Sequence, residues 1–375
     1  MNYTYHNMIT GTIKTPVGEI KQVVPRLNRS DLIGAIKVRW LIGRNSYGVE
    51  PGLYAVGNPD NHSDVFASAN YKLSFDHLRK NLDGLNAWIL VLDTKGVNVW
   101  CAGGKGTFGT AELVNRIRLT RLDQLIDHRR IIVPQLGATG VSAYQVKALT
   151  TPSPQEFKNN SAENSVEFSS IDKDLKVNRG FHVIFGPVRA SDIQQFIRNG
   201  YKATAEMRKV TFNFYDRLKL IPVDFIYARY KLLAAMAIIF VLSGITRHGF
   251  SIDQSVHNGF SDMIYIAMAY ISGILLTPLI LPIIPVRMFA FKGLITGSLL
   301  CLSLFLFNKL GHDSFVITAW FLILSAISSF MAMNFTGAST FTSLSGVKKE
   351  MRTFVPVQIV FAASGLILLV VSNVR

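Results

Sequence analysis

Cys101 is one of only two cysteines in this 375-residue chain, and its neighbours suit it for chemistry. It lies in the run Asn98-Val99-Trp100-Cys101-Ala102-Gly103-Gly104-Lys105, just past the fully apolar segment Ala87-Trp88-Ile89-Leu90-Val91-Leu92. If Asn98 caps a short helix, Val99, Trp100 and Cys101 are its first three positions. The thiol then falls in the first turn, where unpaired N–H groups and the positive end of the helix dipole favour a thiolate. Lys105 adds a cation nearby. A thiolate is a soft, strongly donating ligand that suits cobalt held in a large equatorial ring. Gly103 and Gly104 carry no side chains, which lets a flat macrocycle approach the backbone. Gly106-Thr107-Phe108-Gly109-Thr110 opens the next helix, whose N–H groups suit a phosphate. Plainer readings compete. A cysteine in apolar company is commonly a small buried hydrophobe, and a glycine-rich strand-to-helix turn is specific to no one phosphate ligand.

Cys301, the other cysteine, falls in a long apolar stretch and cannot partner Cys101. Two cysteines of such different setting make no disulfide framework and no zinc or iron–sulfur site, and free thiols fit a reducing compartment. The formal net charge of +15 is spread through the first half and gathered at the feet of the hydrophobic segments. It forms no basic stripe interleaved with aromatic residues, so the charge reads as membrane orientation and not as nucleic-acid binding. The mean hydropathy of +0.29 is likewise uneven, with the excess in residues 231–375. The first residues lack the charged and apolar regions of a signal peptide, so the first domain is expected in the cytoplasm.

Strand-like runs at 53–56, 65–69, 87–92, 130–133 and 182–185 alternate with amphipathic stretches. This predicts an α/β domain with a mostly parallel, Rossmann-like sheet and helices on both faces. One helix follows Gly109-Thr110, with Leu113, Val114 and Ile117 inward. A second follows Gly140, with Val141, Val146 and Leu149. A third follows Arg189, with Ile193, Phe196 and Ile197, and Ser191 or Asp192 near its start. Ligands of open α/β sheets bind beyond the carboxyl ends of the strands, where the turns 93–105, 135–140 and 186–189 fall. Residues 151–179, rich in Ser, Asn, Lys and Glu, read as a flexible insertion. The domain is expected over 1–205, a juxtamembrane linker over 206–230, and an all-α transmembrane domain of five helices over 231–375, with spans near 232–245, 263–284, 293–307, 315–333 and 354–371. The first extends back through the interfacial aromatics Phe225, Tyr227 and Tyr230, and Pro278, Pro282 and Pro285 kink or end the second. Arg208, Lys209, Arg217, Lys219, Arg229, Lys231, Arg287, Lys292, Lys348, Lys349 and Arg352 occupy one set of loops, against Arg247 and Lys309 in the other. The positive-inside rule then places the C-terminus outside. No acid or base falls at a span centre, which favours an anchoring bundle over a transporter, and Gly273, Gly293, Gly297 and Ser298 suit close helix contacts.

The run 98–105, continued to Thr110, resembles the cap-helix motif of the HgcA family of mercury-methylation corrinoid proteins, relatives of the large subunit of the corrinoid iron–sulfur protein. Further similar segments begin at Val49-Glu50-Pro51-Gly52, Ala69-Asn70-Tyr71-Lys72, Leu92-Asp93-Thr94-Lys95, Val133-Pro134-Gln135-Leu136 and Phe185-Gly186-Pro187-Val188. The resemblance covers roughly residues 35–200, and the order of a corrinoid domain before five spans is similar too. Two departures stand out. Gly103 replaces the family's usual alanine, which loosens a helix by up to about 1 kcal/mol, and the insertion at 151–179 is longer than expected.

The resemblance implies a corrinoid-dependent methyltransferase. Cys101 would be the lower axial ligand of the cobalt in a base-off, cobalamin-type corrinoid, with a methyl group leaving for Hg(II) as a carbanion equivalent. Asn98, Val99, Trp100, Ala102, Gly103, Gly104 and Lys105 would form the cap against the ring. Thr107, Gly109, Thr110, Gly137, Ala138 and Gly140 would receive the corrinoid tail, and Asn70, Tyr71 and Arg189 would be polar rim contacts. The chain has no cysteines for a cluster, so the family implies a ferredoxin-like partner, HgcB, with two four-iron, four-sulfur clusters. The methyl donor would come from the methyl-tetrahydrofolate pathway, and the site would be an inner-membrane protein's cytoplasmic domain. His128 and His182 are the candidates for a mercury ligand, each more often an ordinary surface or core histidine. Two rivals remain: a corrinoid methyl carrier of one-carbon metabolism with another acceptor, and a membrane protein whose soluble domain binds a nucleotide without catalysis.

Overall fold

The strand β5, Ala87–Leu92, is buried at every residue, as expected for a strand covered on both faces. Its side chains alternate between two hydrophobic layers. Trp88, Leu90 and Leu92 enter one layer, and Ala87, Ile89 and Val91 enter the other.

The computed structural model describes residues 8–151, 180–338 and 342–375. Within these, one unit comprises residues 8–38, 42–151 and 180–210, and a second comprises residues 39–41, 211–338 and 342–375. The insertion expected at 151–179 lies, apart from Thr151, outside the described residues.

In the first unit, β1 (Ile9–Thr15), β2 (Gly18–Val23), β3 (Gly52–Val56), β4 (Asp64–Ala69), β5, β6 (Arg130–Val133) and β7 (His182–Phe185) form one sheet, in the order β1-β2-β3-β5-β4-β6-β7. The strands β5, β4, β6 and β7 are mutually parallel, β3 is antiparallel to β5, and β1 and β2 form a hairpin. The hairpin was not expected. Its first strand alternates between exposed and half-buried residues, so it lacks the apolar run that marks the central strands.

Helices α1 (Arg29–Arg39), α2 (Lys72–Asn81), α3 (Val99–Lys105), α4 (Thr110–Leu119), α5 (Leu122–Leu125), α6 (Ala143–Thr150) and α7 (Ile193–Arg198) fill the connections. Phe75 and Leu78 of α2 and Ile193 and Phe196 of α7 join the layer of Ile89. Ala102 of α3, Leu113, Val114 and Ile117 of α4 and Val146 of α6 join the layer of Leu90. Leu149 was assigned inward but is 51% exposed. From β4 the chain passes through α2 to β5 on one side, then crosses through α3–α5 to β6 on the other. The turns after these strands therefore diverge at one sheet edge, the geometry that opens a ligand crevice in α/β folds.

Asn28 and Asp31 cap the start of α1 reciprocally, each side chain accepting the other's N–H. Asp31 also closes a buried ion quartet. Lys72 Nζ lies 2.6 Å from both Asp31 and Asp76, and Arg79 lies 2.6 Å from Asp31 and 2.8 Å from Asp76. Burial pushes the Asp31 carboxyl up, but its bonds to Lys72 and the Asn28 N–H, with the charge of Arg79, hold it below the usual carboxylate range.

The second unit carries, among the described residues, five helices long and apolar enough to cross a membrane: Phe214–Leu242, Ile252–Leu279, Phe289–Leu306, Ser314–Asn334 and Ser345–Val374. The second contains a π-helical turn, Ser272–Leu276, immediately before Pro278, and ends at Leu279. Proline removes a backbone donor, and Thr277 Oγ1 donates to the Ser272 carbonyl at 3.0 Å within the same turn. A Cβ at Gly273, Gly293 or Gly297 would fall within 2.7 Å of the fourth span, so these helices meet at backbone distance. Ser298 and Ser325 hydrogen-bond at 3.1 Å. Lys292, counted among the loop bases, lies buried in the first turn of the third span, where it donates to the Leu281 carbonyl.

Candidate functional site

Cys101 lies where the sheet edge and the helix start coincide. Asn98 has extended backbone, and its side chain accepts the Cys101 N–H at 2.9 Å, so the helix begins at Val99 as the cap chemistry requires. Gly106 ends α3 in the left-handed conformation, with φ of 78°. Seven residues make two faces. Val99, Ala102 and Gly103 are buried, whereas Trp100, Cys101, Gly104 and Lys105 are exposed. The Cys101 thiol is therefore free and faces outward, against the plainer expectation of a buried hydrophobe.

The two glycines of the motif play different parts. A Cβ at Gly104 would meet nothing within 4 Å, so the surface beside Cys101 is open there. A Cβ at Gly103 would lie 2.7 Å from Thr139 Oγ1 and 3.2 Å from the Leu136 carbonyl. Gly103 thus faces the 3-10 turn Gln135–Gly137 and its continuation and not the outer surface. Thr139 fills the space that an alanine methyl would need, a reason for glycine here that the sequence alone did not supply.

The turn that presents α3 is held from β4. Asn70 is fully buried, and its Oδ1 accepts hydrogen bonds from Thr94 N (3.1 Å), Thr94 Oγ1 (2.8 Å) and Gly96 N (2.9 Å). Its Nδ2 donates to Asp93 Oδ1 at 3.3 Å. The turn itself runs through two left-handed residues, Lys95 (φ 58°) and Gly96 (φ 72°), and the one Thr94 hydroxyl hydrogen is shared between Asn70 Oδ1 and the Val97 carbonyl, 2.6 Å from Oγ1. Glu112 of α4 accepts the Asp93 N–H at 2.8 Å and pairs with Arg116 at 2.7 Å. Partial burial pushes the Asp93 carboxyl up, but its bonds to Lys95 and the charges of Lys95 and Arg116 hold it below the usual range. Asn70 was expected as a rim contact; its burial makes it a positioning residue instead. Tyr71, expected beside it, is only 6% exposed and packs edge-on against Tyr47, with ring centroids 6.4 Å apart.

The residues expected to receive a phosphate-bearing tail mostly build the crevice wall. Gly106 N donates to the Gly103 carbonyl, Phe108 N to Ala102 and Thr110 N to Gly140. Gly137, Ala138 and Gly140 likewise spend their N–H groups within the turn, on Pro134, Gln135 and Gly137. The Thr110 hydroxyl accepts the Ser142 N–H at 2.9 Å. Phe108, overlooked in the sequence, is completely buried, and a Cβ on Gly137 would lie 2.5 Å from its ring. A Cβ on Gly140 would lie 2.2 Å from the Phe108 carbonyl, and Gly109 is buried in the same seam. An aromatic residue inside a glycine-rich run was the signal available for this packing. Thr107 differs from its neighbours: among the described residues its buried hydroxyl has no hydrogen-bond partner. Arg189 starts the 3-10 turn Ala190–Asp192, half-buried, and the preceding Pro187 carbonyl accepts the Gln135 N–H at 3.4 Å.

Neither candidate histidine joins this edge. His128 and His182 lie at the amino ends of β6 and β7, opposite the Cys101 edge, and His128 bonds the Ser63 carbonyl and the Arg130 N–H through its two ring nitrogens. Among the described residues no three His, Cys, Asp or Glu side chains gather to hold a metal. A macrocycle that carries its own equatorial ligands would ask only one donor of these residues. The open surface at Gly104, the outward thiol and the unpartnered Thr107 hydroxyl fit a large flat ligand with a polar appendage.

Residues 35–161 match the family model described as CO dehydrogenase/acetyl-CoA synthase delta subunit. Similar curated proteins are gamma subunits of acetyl-CoA decarbonylase/synthase complexes. The subunit of Methanocaldococcus jannaschii is 38% identical over 100 residues, covering 26% of this chain and 20% of that protein. That of Archaeoglobus fulgidus is 31% identical over 97 residues (25% and 21%), and that of Methanopyrus kandleri 35% over 99 residues (25% and 21%). The chain spans about a fifth of the length of the curated relatives it matches. The matched stretch is homologous to a domain of those subunits.

Proposed function

We propose that this chain is a membrane-anchored, corrinoid-dependent methyltransferase whose acceptor is Hg(II). The observation that carries the reading is the free Cys101 thiol on the outer face of α3, beside the open surface at Gly104. The resemblance of residues 98–110 to the mercury-methylation family supplies the acceptor.

Cys101 would hold the cobalt of a base-off corrinoid through its thiolate. When bound, the corrinoid supplies the methyl group that Hg(II), the substrate, receives as a carbanion equivalent. Asn98 fixes the turn that aims the thiol, and Asn70 fixes the loop that carries Asn98. Trp100 and Lys105 flank the sulfur on the exposed face, and the Thr107 hydroxyl is the polar group left for the cofactor's tail. Cys101 would be committed to the metal and Cys301 is buried in a span, so electrons would come from outside these two thiols; the resemblance implies a ferredoxin-like partner, HgcB, with two four-iron, four-sulfur clusters. The methyl group comes from a donor of the methyl-tetrahydrofolate pathway. The domain faces the cytoplasm, the spans lie in the inner membrane and the C-terminus is outside, an orientation that the basic loops support.

A second reading is a corrinoid methyl carrier of one-carbon metabolism. It is favoured by the similar proteins, gamma subunits of acetyl-CoA decarbonylase/synthase complexes. Anaerobic reconstitution of the full chain with corrinoid, reductant, methyl donor and Hg(II) separates the two. Methylmercury formed by the wild type and lost in Cys101→Ala supports the first reading. Methyl loading without transfer to Hg(II) contradicts it and supports the second.

A further inference from the structure

Helix α1 is built inside out. It buries Asp31 and Val38, at 5% and 0% exposure, and leaves Leu32, Ile33 and Ile36 exposed at 52%, 52% and 57%. Asp31 turns inward because Lys72 and Arg79 wait for it in the buried quartet. At 3.6 residues per turn, Leu32, Ile33 and Ile36 then share a sector of roughly 100° on the far side. Ile42, shortly after the helix, is 61% exposed. An apolar patch pointing to water on a helix that buries its acid calls for a cover.

The surrounding charge identifies the cover. Arg29 and Lys37 are exposed on the same helix, and Arg26 and Arg44 lie just before and after it. The segment's one acid, Asp31, is already neutralised inside. An apolar sector edged by bases is the pattern of a helix lying in a membrane interface, and five spans in the same chain keep a bilayer within reach.

We propose that α1 rests on an anionic phospholipid surface, with Leu32, Ile33 and Ile36 at the acyl boundary and Arg29 and Lys37 on the headgroup phosphates. This contact is independent of the chemistry at Cys101.

The test uses the full chain in lipid nanodiscs, with Cys101→Ala and Cys301→Ala removing the native thiols. A nitroxide is attached at Ile36→Cys, or at Ser30→Cys on the polar side, and its collisions with oxygen and with a water-soluble nickel chelate are compared. In discs containing phosphatidylserine, oxygen is expected to dominate at position 36 and the nickel chelate at position 30. Arg29→Gln or Lys37→Gln should weaken the embedded state roughly fivefold each, since a base near an anionic surface contributes about 1 kcal/mol. Equal access of the nickel chelate at both positions would overturn the proposal. So would a label at position 36 shielded from both reagents even in neutral detergent, because protein, from this chain or a second copy, would then be the cover.

Discussion

Replacing Asn70 with alanine removes the acceptor shared by Thr94 N, Thr94 Oγ1 and Gly96 N. Thr94 N and Oγ1 keep the Leu92 and Val97 carbonyls, so Gly96 N is the donor left without its acceptor, and Asn70→Ala should destabilise the first unit by about 1–3 kcal/mol, read from its thermal unfolding. At Gly103 two effects oppose each other. Alanine gains up to about 1 kcal/mol of helix propensity over glycine, yet its methyl would press on Thr139 Oγ1 at 2.7 Å, and overpacking costs about 1–3 kcal/mol. Gly103→Ala is therefore expected to destabilise, and Thr139→Ala in the same chain to recover most of the loss. Additive losses in the double variant would show that Thr139 is not what excludes the methyl group.

Among elements, α1 and α2 depend on the ion quartet. Arg79→Met leaves Asp31 and Asp76 buried with one cation between them and should cost about 3–5 kcal/mol. The pH dependence follows from Asp31. Its carboxyl is held below its ordinary value of about 3.9, so the folded state binds its proton less readily than the unfolded chain does. The stabilisation is complete above the unfolded value and drains away as the pH falls through the lower, folded one. Melting temperature followed downward from pH 6 should fall steeply below about pH 4, and the fall should be shallower in Asp31→Asn. The five expected strands were legible because each is a short apolar run in a covered sheet. The β1–β2 hairpin was not, because half of it faces water. The Cys101 helix was legible from Asn98 and the glycines. What its neighbours do was not: a buried Asn70 and a rim Asn70 read identically in sequence, and only the three-dimensional approach of Thr139 to Gly103 explains that glycine.

For the whole molecule, the orientation proposed from the basic loops and the five spans is one that labelling can check. A cysteine at Asn308, in a background free of native thiols, should react with an impermeant maleimide on intact cells, and one at Lys348 only after permeabilisation. The reverse pattern would place the Cys101 domain on the wrong side for a cytoplasmic methyl donor. The homologous stretch, residues 35–161, holds Lys72, Asp76 and Arg79 of the quartet, Asn70 and the Cys101 helix, so the shared part is the part that presents the thiol. The claim that most of the account rests on is that this sulfur binds cobalt. Cobalt X-ray absorption of the full chain, loaded anaerobically with corrinoid, measures it directly. A sulfur scatterer at bonding distance in the wild type that disappears in Cys101→Ala is the predicted result; identical cobalt spectra from the two proteins would contradict it.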